Sequence, residues 1–369
     1  MRSWRTAVFA AFSLNGIANA AIISRAPTVR ELLHIGIGQF GLLILAASIG
    51  SIVGLVLSSH IVHLLGGRRT ILIALGLCGL AIITVGAGTA IGSYALAVVG
   101  MALFGFGSAV CDVAMNVEGG GVERAGGRAI MPWFHASWSL GTVVSAGLGS
   151  LAAFAGVSPL LHFTIIGIVV AIGAVIATRW LPGVEPPSDD DAPRPTFRDR
   201  MSIWIEPRTL LIGLIVLGMA FTEGSANDWL ALGFHDDRGL DAAQAALVYA
   251  VFTTSMTLGR IAGVPLLNRF GRVAALRGAA IAALVGLATV ILVPIVPIGV
   301  VVVVVWGVGA SLGFPVGMSA ASDGDPAKAA ARVSTVATIA YGAFLIGPPL
   351  IGFVGQQIGL LHALWIVFG

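Results

Sequence analysis

The residues of this sequence that could do chemistry are a few polar and ionisable side chains placed inside long apolar segments. Glu223 and Asp112 are carboxylic acids in such segments, and Asn15, Asn19 and His135 are polar companions in others. An ionisable side chain costs about 2.5–3.5 kcal/mol at the centre of a bilayer, and such residues commonly mark binding or proton-transfer sites. They are therefore the first candidates for contact with a solute or a proton.

Glu223 is the first candidate for a group that binds a proton. Asn227 lies one helical turn after it, and Asp228 and Trp229 follow where the apolar run ends. A carboxyl in dry surroundings can gain and lose a proton as those surroundings change; the alternative is a fixed hydrogen bond to a neighbouring helix. We expect Glu223 to bind a proton or a solute, Asn227 to contact a solute, and Asp228 to cap the helix at the membrane surface.

Asp112 is the second candidate. Ser108 and Asn116 lie one turn on either side of it and complete a polar stripe on one helix face. His135 begins the next apolar segment on the same side of the membrane, and a free imidazole titrates near neutral pH. One interpretation is a cluster that binds a proton or gates a passage. The other is an ion-pair lock, and both remain open for Asp112.

A lock would be formed by acidic side chains and the basic residues of neighbouring loops. Asp112 or Glu118 would hold Arg68, Arg69 or Arg128 at the inner mouth. The lock is the favoured interpretation for Glu118, Glu123 and Arg124. The residues expected to gate a passage, in the first half of the chain and in the second, are Arg68, Arg69, Glu118, Arg128, Asn268, Arg269 and Arg272.

Amide and aromatic side chains offer the contacts that a sugar needs. Asn15 and Asn19 are one turn apart, and amides both donate to and accept from hydroxyls; the alternative is that they join helices. Trp138 and Tyr341 are expected to stack on a sugar ring, with simple packing as the alternative. Arg25 is expected to extend its charge to the membrane surface, or else to belong to an outer gate.

The composition places these residues in a membrane protein. Only 10% of the residues are charged, against about 25% in soluble domains. A helix needs roughly 20 apolar residues to cross a bilayer, and no segment alternates as a membrane β-strand would. Eleven spans are predicted, at 4–23, 38–59, 70–90, 93–116, 132–155, 161–181, 209–231, 244–263, 276–293, 298–320 and 333–353. A twelfth begins near Leu360 and is expected to be truncated at Gly369.

The basic residues predict the orientation. With the N-terminus in the cytoplasm, Arg25, Arg30 and Arg238 face outward and the remaining 17 of the 20 Lys and Arg residues, Arg260 among them, face the cytoplasm. This asymmetry follows the positive-inside rule. It also accounts for the pI of about 9.3 without a nucleic-acid partner.

Landmarks repeat between the two halves of the chain. The pairs are Gly67-Arg68 with Gly271-Arg272 at an offset of 204, Phe104-Gly105-Phe106-Gly107 with Trp306-Gly307-Val308-Gly309 at 202, and Gly141 with Gly342 at 201. A proline-rich, acidic segment lies between the halves. The sequence predicts two six-helix bundles, 1–181 and 208–369 with its last helix incomplete, joined by a cytoplasmic linker at 182–207.

This arrangement resembles the major facilitator superfamily. The loop signature G-x-x-x-D-R-x-G-R-R of that family is matched in part by Gly67-Arg68-Arg69 and better by Asn268-Arg269-Phe270-Gly271-Arg272. Leu64 and Leu65 stand where its Asp and Arg are expected, so the usual latch of the first half is in doubt. Three parts of the chain resemble fucose-permease-like members of this family, including a bacterial group related to rhizopine-locus membrane proteins. They are the segment around Asn116 and Glu118, residues 135–141, and residues 223–229 with Gly259-Arg260.

The resemblance implies a secondary transporter that works by alternating access. The sequence has no phosphate-binding P-loop and no H-E-x-x-H or G-x-S-x-G motif, so we expect neither an enzyme nor a cofactor. We expect proton symport of a small polar solute (a sugar, polyol or related metabolite) by a monomer in a bacterial cytoplasmic (inner) membrane. The alternatives are proton-coupled efflux of drugs or metabolites and a non-transporting membrane sensor that signals through the linker.

Overall fold

Long apolar segments leave the peptide groups of a membrane protein no partners except each other, so each segment forms an α-helix. The structure, a computed structural model, describes residues 2–126, 130–182, 203–321, 323 and 326–368. Within these ranges there is no β-strand. The helices are α1 (Arg2–Ile23), α2 (Ala26–Leu32), α3 (Ile37–Ala90), α4 (Tyr94–Gly126), α5 (Met131–Phe154), α6 (Pro159–Thr178), α7 (Pro207–Asp236), α8 (Ala242–Leu292), α9 (Val296–Ala310), α10 (Gly313–Ala321), α11 (Pro326–Ile358), α12 (Leu360–Ala363) and α13 (Trp365–Phe368).

Eleven segments of the described chain are long and apolar enough to cross a membrane. Their number, order and helical type confirm the prediction of an all-α membrane protein. Helices α3 and α8 each contain two spans, and the tenth span runs through α9 and α10. Helix α2 is an addition to the predicted spans, because its 7 residues are too few to cross a bilayer. Most of the predicted linker, residues 183–202, lies outside the described residues.

Capping side chains fix where several helices begin. Before α8, the N–H of Gln244 donates to the Asp241 carboxylate at 2.8 Å, and the N–H of Asp241 donates to the Gln244 side chain at 3.2 Å. Before α6, the Ser158 hydroxyl accepts from the N–H of Leu161 at 3.3 Å. These bonds use backbone donors that the first turn of a helix leaves free.

A single glycine turns the chain between the second and third spans, and another does so between the eighth and ninth. Gly66 has φ 72° and Gly271 has φ 78°, a left-handed conformation that glycine adopts without strain. The two glycines are 205 residues apart. The repeat is therefore real, but its register at this landmark differs by one residue from the predicted match of Gly67 with Gly271.

Close glycine contacts hold the fourth span against its neighbours. A side chain at Gly105 of α4 would clash with the backbone of Ala47 in the second span. Gly107, one half-turn on, lies against the carbonyl oxygen of Ala74 in the third span. Small residues of this kind let helix backbones approach closely, which is the main source of packing energy between helices in lipid.

The tenth span repeats this arrangement in the second half. Gly307 of α9 lies against the backbone of Phe252 in the eighth span, and Gly309 lies against Ala283 in the ninth. The fourth and tenth spans are thus wedged between equivalent partners. This duplication of packing confirms two pseudo-symmetric bundles.

The two bundles contact each other from mid-span to one end. The Ser150 hydroxyl in α5 donates to the carbonyl of Ala243 in α8 at 2.8 Å. The Ser48 hydroxyl in α3 donates to the carbonyl of Phe344 in α11 at 2.7 Å. At the tip, Arg30 of α2 pairs with Asp236 of α7 at 2.6 Å. This closed end is the one predicted to face outward.

At the opposite end the described ion pairs stay within one bundle. Arg272 pairs with Asp323, and the Arg332 guanidinium donates to both carboxylate oxygens of Glu206 at 2.9 and 2.7 Å. Arg272, Asp323 and Arg332 belong to the second bundle, and Glu206 is the residue directly before its first helix, α7. Among the described residues no hydrogen bond joins the bundles at this end, which is the one predicted to face the cytoplasm.

We predict that Gly105→Ala lowers the free energy of unfolding by about 1–3 kcal/mol, because the new methyl group must displace the backbone of Ala47. Gly76→Ala in α3 is the matched control, since a side chain there meets no atom within 4 Å. Unfolding of both variants in detergent with increasing denaturant checks this. Equal stability of the two variants would contradict the packing described here.

We predict that a cysteine at Ile91 reacts with an impermeant thiol reagent added outside intact cells, whereas a cysteine at Asp189 does not. Ile91 lies between the third and fourth spans and is 72% exposed. The background protein carries Cys78→Ala and Cys111→Ala, which removes both native thiols. The opposite labelling pattern would reverse the predicted orientation.

Candidate functional site

A seal of small residues joins the two bundles in the half of the membrane that is predicted to be the outer one. Alanine side chains allow the backbones of the four contributing helices to come close together. One tyrosine completes the cluster and is 1% exposed. The members are Ala20 of α1, Ala146 of α5, Ala231 of α7, and Ala245, Tyr249 and Ala250 of α8.

A polar layer lies directly below the seal, toward the predicted cytoplasm. On α7, Asn227 and Glu223 lie one and two turns below Ala231 on the same helix face. On α1, Asn19 lies one turn below Ile23, which packs against the seal. Asn19 and Asn227 are partly exposed and form no hydrogen bond with any described residue. The structure therefore places two free amides and a carboxylate at similar depth on facing helices.

Arg260 forms the centre of this layer. Its guanidinium donates to Glu223 Oε1 at 3.0 Å and to the Ser139 hydroxyl at 2.9 Å. Glu223 and Arg260 lie in the second bundle and Ser139 lies on α5 of the first, two turns below Ala146. The network therefore links the bundles near mid-membrane. A paired carboxylate and guanidinium tolerate such surroundings, whereas either one alone would not.

The prediction that Arg260 faces the cytoplasm is wrong. The residue lies within the eighth span, Ala242–Gly263, and its side chain is 23% exposed. Its long side chain reaches back along the helix to a carboxylate in another span. The available signal was Gly259-Arg260 itself, an arginine that interrupts an apolar run while Glu223 interrupts the preceding one.

The prediction that Asp228 caps a helix is also wrong. Helix α7 continues for two more turns, to Asp236, so Asp228 lies inside it. Asp228 lines a small pocket between α7 and α11, next to Phe221, Phe344 and Pro348. It has no hydrogen-bond partner among the described residues. The charge of Asp228 suggested a helix end, but the apolar residues 230–234 continue the helix beyond it.

Asn15 joins helices. It is 2% exposed, its amide donates to the carbonyl of Ser108 at 3.3 Å, and it accepts from the Ser108 hydroxyl at 3.1 Å. Both groups bridge α1 and α4 within the first bundle. The structure favours the helix-joining alternative for Asn15 and leaves Asn19 as the free amide of the pair.

Asp112 lies on α4 and is partly exposed. It accepts from the Asn116 amide at 3.2 Å and forms no ion pair with a described residue. Tyr341 of α11 is close enough to Asp112 for an electrostatic interaction between the two side chains. The ring centroids of Tyr341 and Phe344 are 6.1 Å apart. The predicted stripe is divided, because Ser108 bonds to Asn15 while Asn116 bonds to Asp112.

His135 and Trp138 lie on α5 near the polar layer. His135 is exposed, and its ring packs edge-on against Phe12 with 5.1 Å between the ring centroids. It is also close enough to Arg260 for an electrostatic interaction between the two side chains. Trp138 is half-buried and packs against the apolar core of the first bundle. His135 thus borders the site, and the main contact of Trp138 is with the protein.

The predicted lock of Glu118 with Arg68 or Arg69 is absent. Glu118 is 8% exposed, accepts from the Trp4 indole at 2.8 Å and lies against Gly67. Both arginines are exposed and form no ion pair with a described residue. A bond to a nearby indole inside the bundle satisfies the carboxylate, which the loop sequence alone does not reveal.

Glu123 caps the start of α5. Its Oε1 accepts from the N–H groups of Ile130 and Met131 at 2.6 and 2.8 Å. Arg128, which was predicted as a partner of Asp112 or Glu118, and the side chain of Arg124 lie outside the described residues.

In the second half, the predicted gating residues lie at the end predicted to face the cytoplasm. Arg272 pairs with Asp323. Arg269 lies over the ring of Phe270, at 5.3 Å from its centroid, and Asn268 is exposed. Gating by these residues stays a prediction.

The outer end carries a charged network that was not among the predicted sites. His235 lies 3.0 Å from Asp236 and 3.3 Å from Glu31, beside the pair of Arg30 with Asp236. It joins α2 to the end of α7 and so closes the outer tip. Helix α2 supplies two of its members, so the network was hidden until that helix was known.

The prediction that Arg25 extends its charge to the membrane surface is wrong. Arg25 is 3% exposed, and its guanidinium donates to the carbonyl of Val157 at 2.8 Å. The side chain turns inward between α1 and the connection from α5 to α6.

Comparisons with known proteins agree with this architecture. A family model described as Major Facilitator Superfamily matches residues 8–348. The chain is 30% identical over 362 residues to an uncharacterised MFS-type transporter of Yersinia pestis. The aligned region covers 97% of this chain and 90% of that transporter.

Solved structures share the fold. A variant of the nucleoside transporter NupG matches with a TM-score of 0.82 at 14% identity, over 99% of this chain and 96% of that chain. A variant of the E. coli fucose:proton symporter FucP matches with a TM-score of 0.63 at 17% identity, over 98% and 96%. The resemblance drawn from the sequence is thereby confirmed: the chain belongs to the Major Facilitator Superfamily, whose model spans most of its length.

Proposed function

We propose that this transporter moves a small polar solute, a sugar, polyol or related metabolite, together with protons by alternating access. The observation that carries the proposal is the network of Glu223, Arg260 and Ser139, which links the two bundles at mid-membrane. A solute bound in the polar layer would lie between the bundles and below the alanine seal.

Glu223 is the proposed proton carrier. When its carboxylate is ionised, it holds the Arg260 guanidinium at 3.0 Å. Protonation removes the negative charge and with it most of the attraction to Arg260. Arg260 can then change its bond to Ser139, so the charge on Glu223 alters the contact between the bundles. Asp112, which has no ion pair among the described residues, is the second candidate carrier.

The proposed solute contacts suit a hydroxyl-rich molecule. Asn19 and Asn227 offer amides that can donate to and accept from hydroxyl groups. Tyr341 adds a phenol and a ring on the opposite side, while Trp138 contributes less because its ring packs against the protein. FucP, which has this fold, is described as a fucose:proton symporter. That description supports the chemical class and the coupling ion proposed here.

We predict that Glu223→Gln lowers solute-driven proton uptake by about tenfold or more. The amide cannot take up or release a proton, and its oxygen accepts from Arg260 only as a neutral hydrogen bond, which is weaker than a charge-assisted one. Liposomes loaded with a pH-sensitive dye check this after a screen of sugars and polyols for thermal stabilisation of the purified protein. Both orientations of the protein in the vesicles would be assayed, which also gives the direction of transport.

Glu206→Gln is the matched control, because it weakens an arginine–glutamate pair that does not join the two bundles, at the end predicted to face the cytoplasm. It should keep proton uptake that depends on the solute. Unchanged uptake by Glu223→Gln would remove Glu223 as carrier, and Asp112→Asn would then be assayed in the same vesicles.

We predict that Asn19→Ala weakens solute binding by about 3–10-fold, the effect of one lost hydrogen bond. Asn15→Ala should leave the affinity unchanged and lower the unfolding midpoint, because Asn15 bridges α1 and α4. Binding isotherms and thermal unfolding of both variants separate the two effects. The reverse pattern would move the site to the other side of α1.

A further inference from the structure

The guanidinium of Arg25 is buried without a counter-charge. Arg25 is 3% exposed, and only its Nη2 has a partner, the carbonyl of Val157. Its Nε and Nη1 atoms are buried without any hydrogen-bond partner. No described carboxylate pairs with it. Guanidinium groups keep their proton in proteins, so a full positive charge and unused N–H donors remain inside the molecule.

His162 lies in the same corner with both ring nitrogens unused. It is 5% exposed, and neither Nδ1 nor Nε2 has a hydrogen-bond partner. It lies within the range of the charge on Arg25. Next to it, Gly149 of α5 has no side chain: a Cβ there would run into the Ser24 hydroxyl and approach the His162 ring to 3.8 Å. Three helices thus converge on two unpartnered nitrogen-bearing side chains.

The surroundings add positive potential. Val157 is followed by Ser158, which caps the N-terminus of α6, and His162 lies one turn into that helix. The N-terminal end of a helix carries a partial positive charge. Burial lowers the pKa of Arg25 by removing its charge from solvent, which is the effect expected when no anion compensates it. A buried charge without compensation is among the costliest features that a protein can contain.

We propose that Arg25 and His162 bind a small inorganic anion of the chloride type at the outer corner of the first bundle. The anion would accept from the free N–H groups of Arg25 and from one N–H of the neutral imidazole. A water molecule could accept from the same donors, but it would leave the charge uncompensated. The site is separate from the polar layer at Glu223 and does not depend on the proposed solute or coupling ion.

Binding at this corner would stabilise the closed outer end. Arg25 lies two residues after Ile23, which packs against the alanine seal. Its hydrogen bond to Val157 links the end of α1 to the connection between α5 and α6. An anion that holds Arg25 in place therefore also holds the end of α1 against the seal. It would act as a structural ligand of the first bundle.

The test compares thermal unfolding of the purified full-length protein in sodium chloride and in sodium gluconate at equal ionic strength. We expect chloride to raise the midpoint by roughly 2–4 °C and the effect to saturate, as binding to the folded state requires. Arg25→Gln should lose the difference between the two salts. Arg30→Gln is the matched control, since Arg30 lies at the same end but has Asp236 as its partner, and it should keep the difference.

Two further measurements decide the matter if Arg25→Gln does not fold. His162→Phe replaces the imidazole with another aromatic ring that has no N–H group. This variant should raise the chloride concentration for half-maximal stabilisation by about 5–10-fold. Crystals of the unmodified protein grown in bromide should give an anomalous peak beside Arg25. Equal midpoints in both salts, an unchanged chloride effect in Arg25→Gln, or bromide peaks only at other places would each overturn the proposal.

Discussion

Lipid offers no hydrogen bonds, so each polar group in a span must find its partner inside the protein or border a space that water and solutes can enter. The pair of Glu223 with Arg260 is the strongest case, since two charges from separate helices are kept in mid-membrane only because they meet at 3.0 Å. The same constraint turns Asn15 toward Ser108. Polar side chains without a protein partner among the described residues, such as Asn19 and Asn227, therefore border the space between the bundles.

Glycines bring backbones together both within a bundle and between bundles. Gly105 and Gly309 do so inside a bundle, and a Cβ on Gly41 of α3 would lie 2.8 Å from the carbonyl oxygen of Pro348 in α11. The seal between the bundles adds alanine methyl groups, with isolated hydroxyl bonds such as that of Ser150. Among the described residues the contacts between bundles lie from mid-span to the closed end, which favours motion of each bundle as a unit.

The spans, their repeat and the superfamily were predictable from the sequence because hydrophobic length and glycine spacing are local properties. The depth and partners of charged residues were not. Arg260 belongs by position to the end of a span, yet its side chain reaches a carboxylate that lies 37 residues away. Glu118 bonds to Trp4 across 114 residues, and Arg25 meets Val157 across 132. Such pairings depend on which helix faces lie together, which no local pattern encodes.

The contacts between the bundles lie at two depths, and their depth determines how much rocking of the bundles changes them. Arg30 with Asp236 lies at the tip of the closed end, where rocking of the bundles produces the largest separation. The two side chains are only 19% and 13% exposed there, so separation of the bundles would bring both charges into water. Arg260 with Ser139 lies near mid-span, where the same rocking changes distances least. A bond there can persist through much of the motion, so the charge on Glu223 can influence it in both end states. A protonation event is therefore better placed beside Arg260 than at the tip, where the contact is lost as soon as the outer end opens.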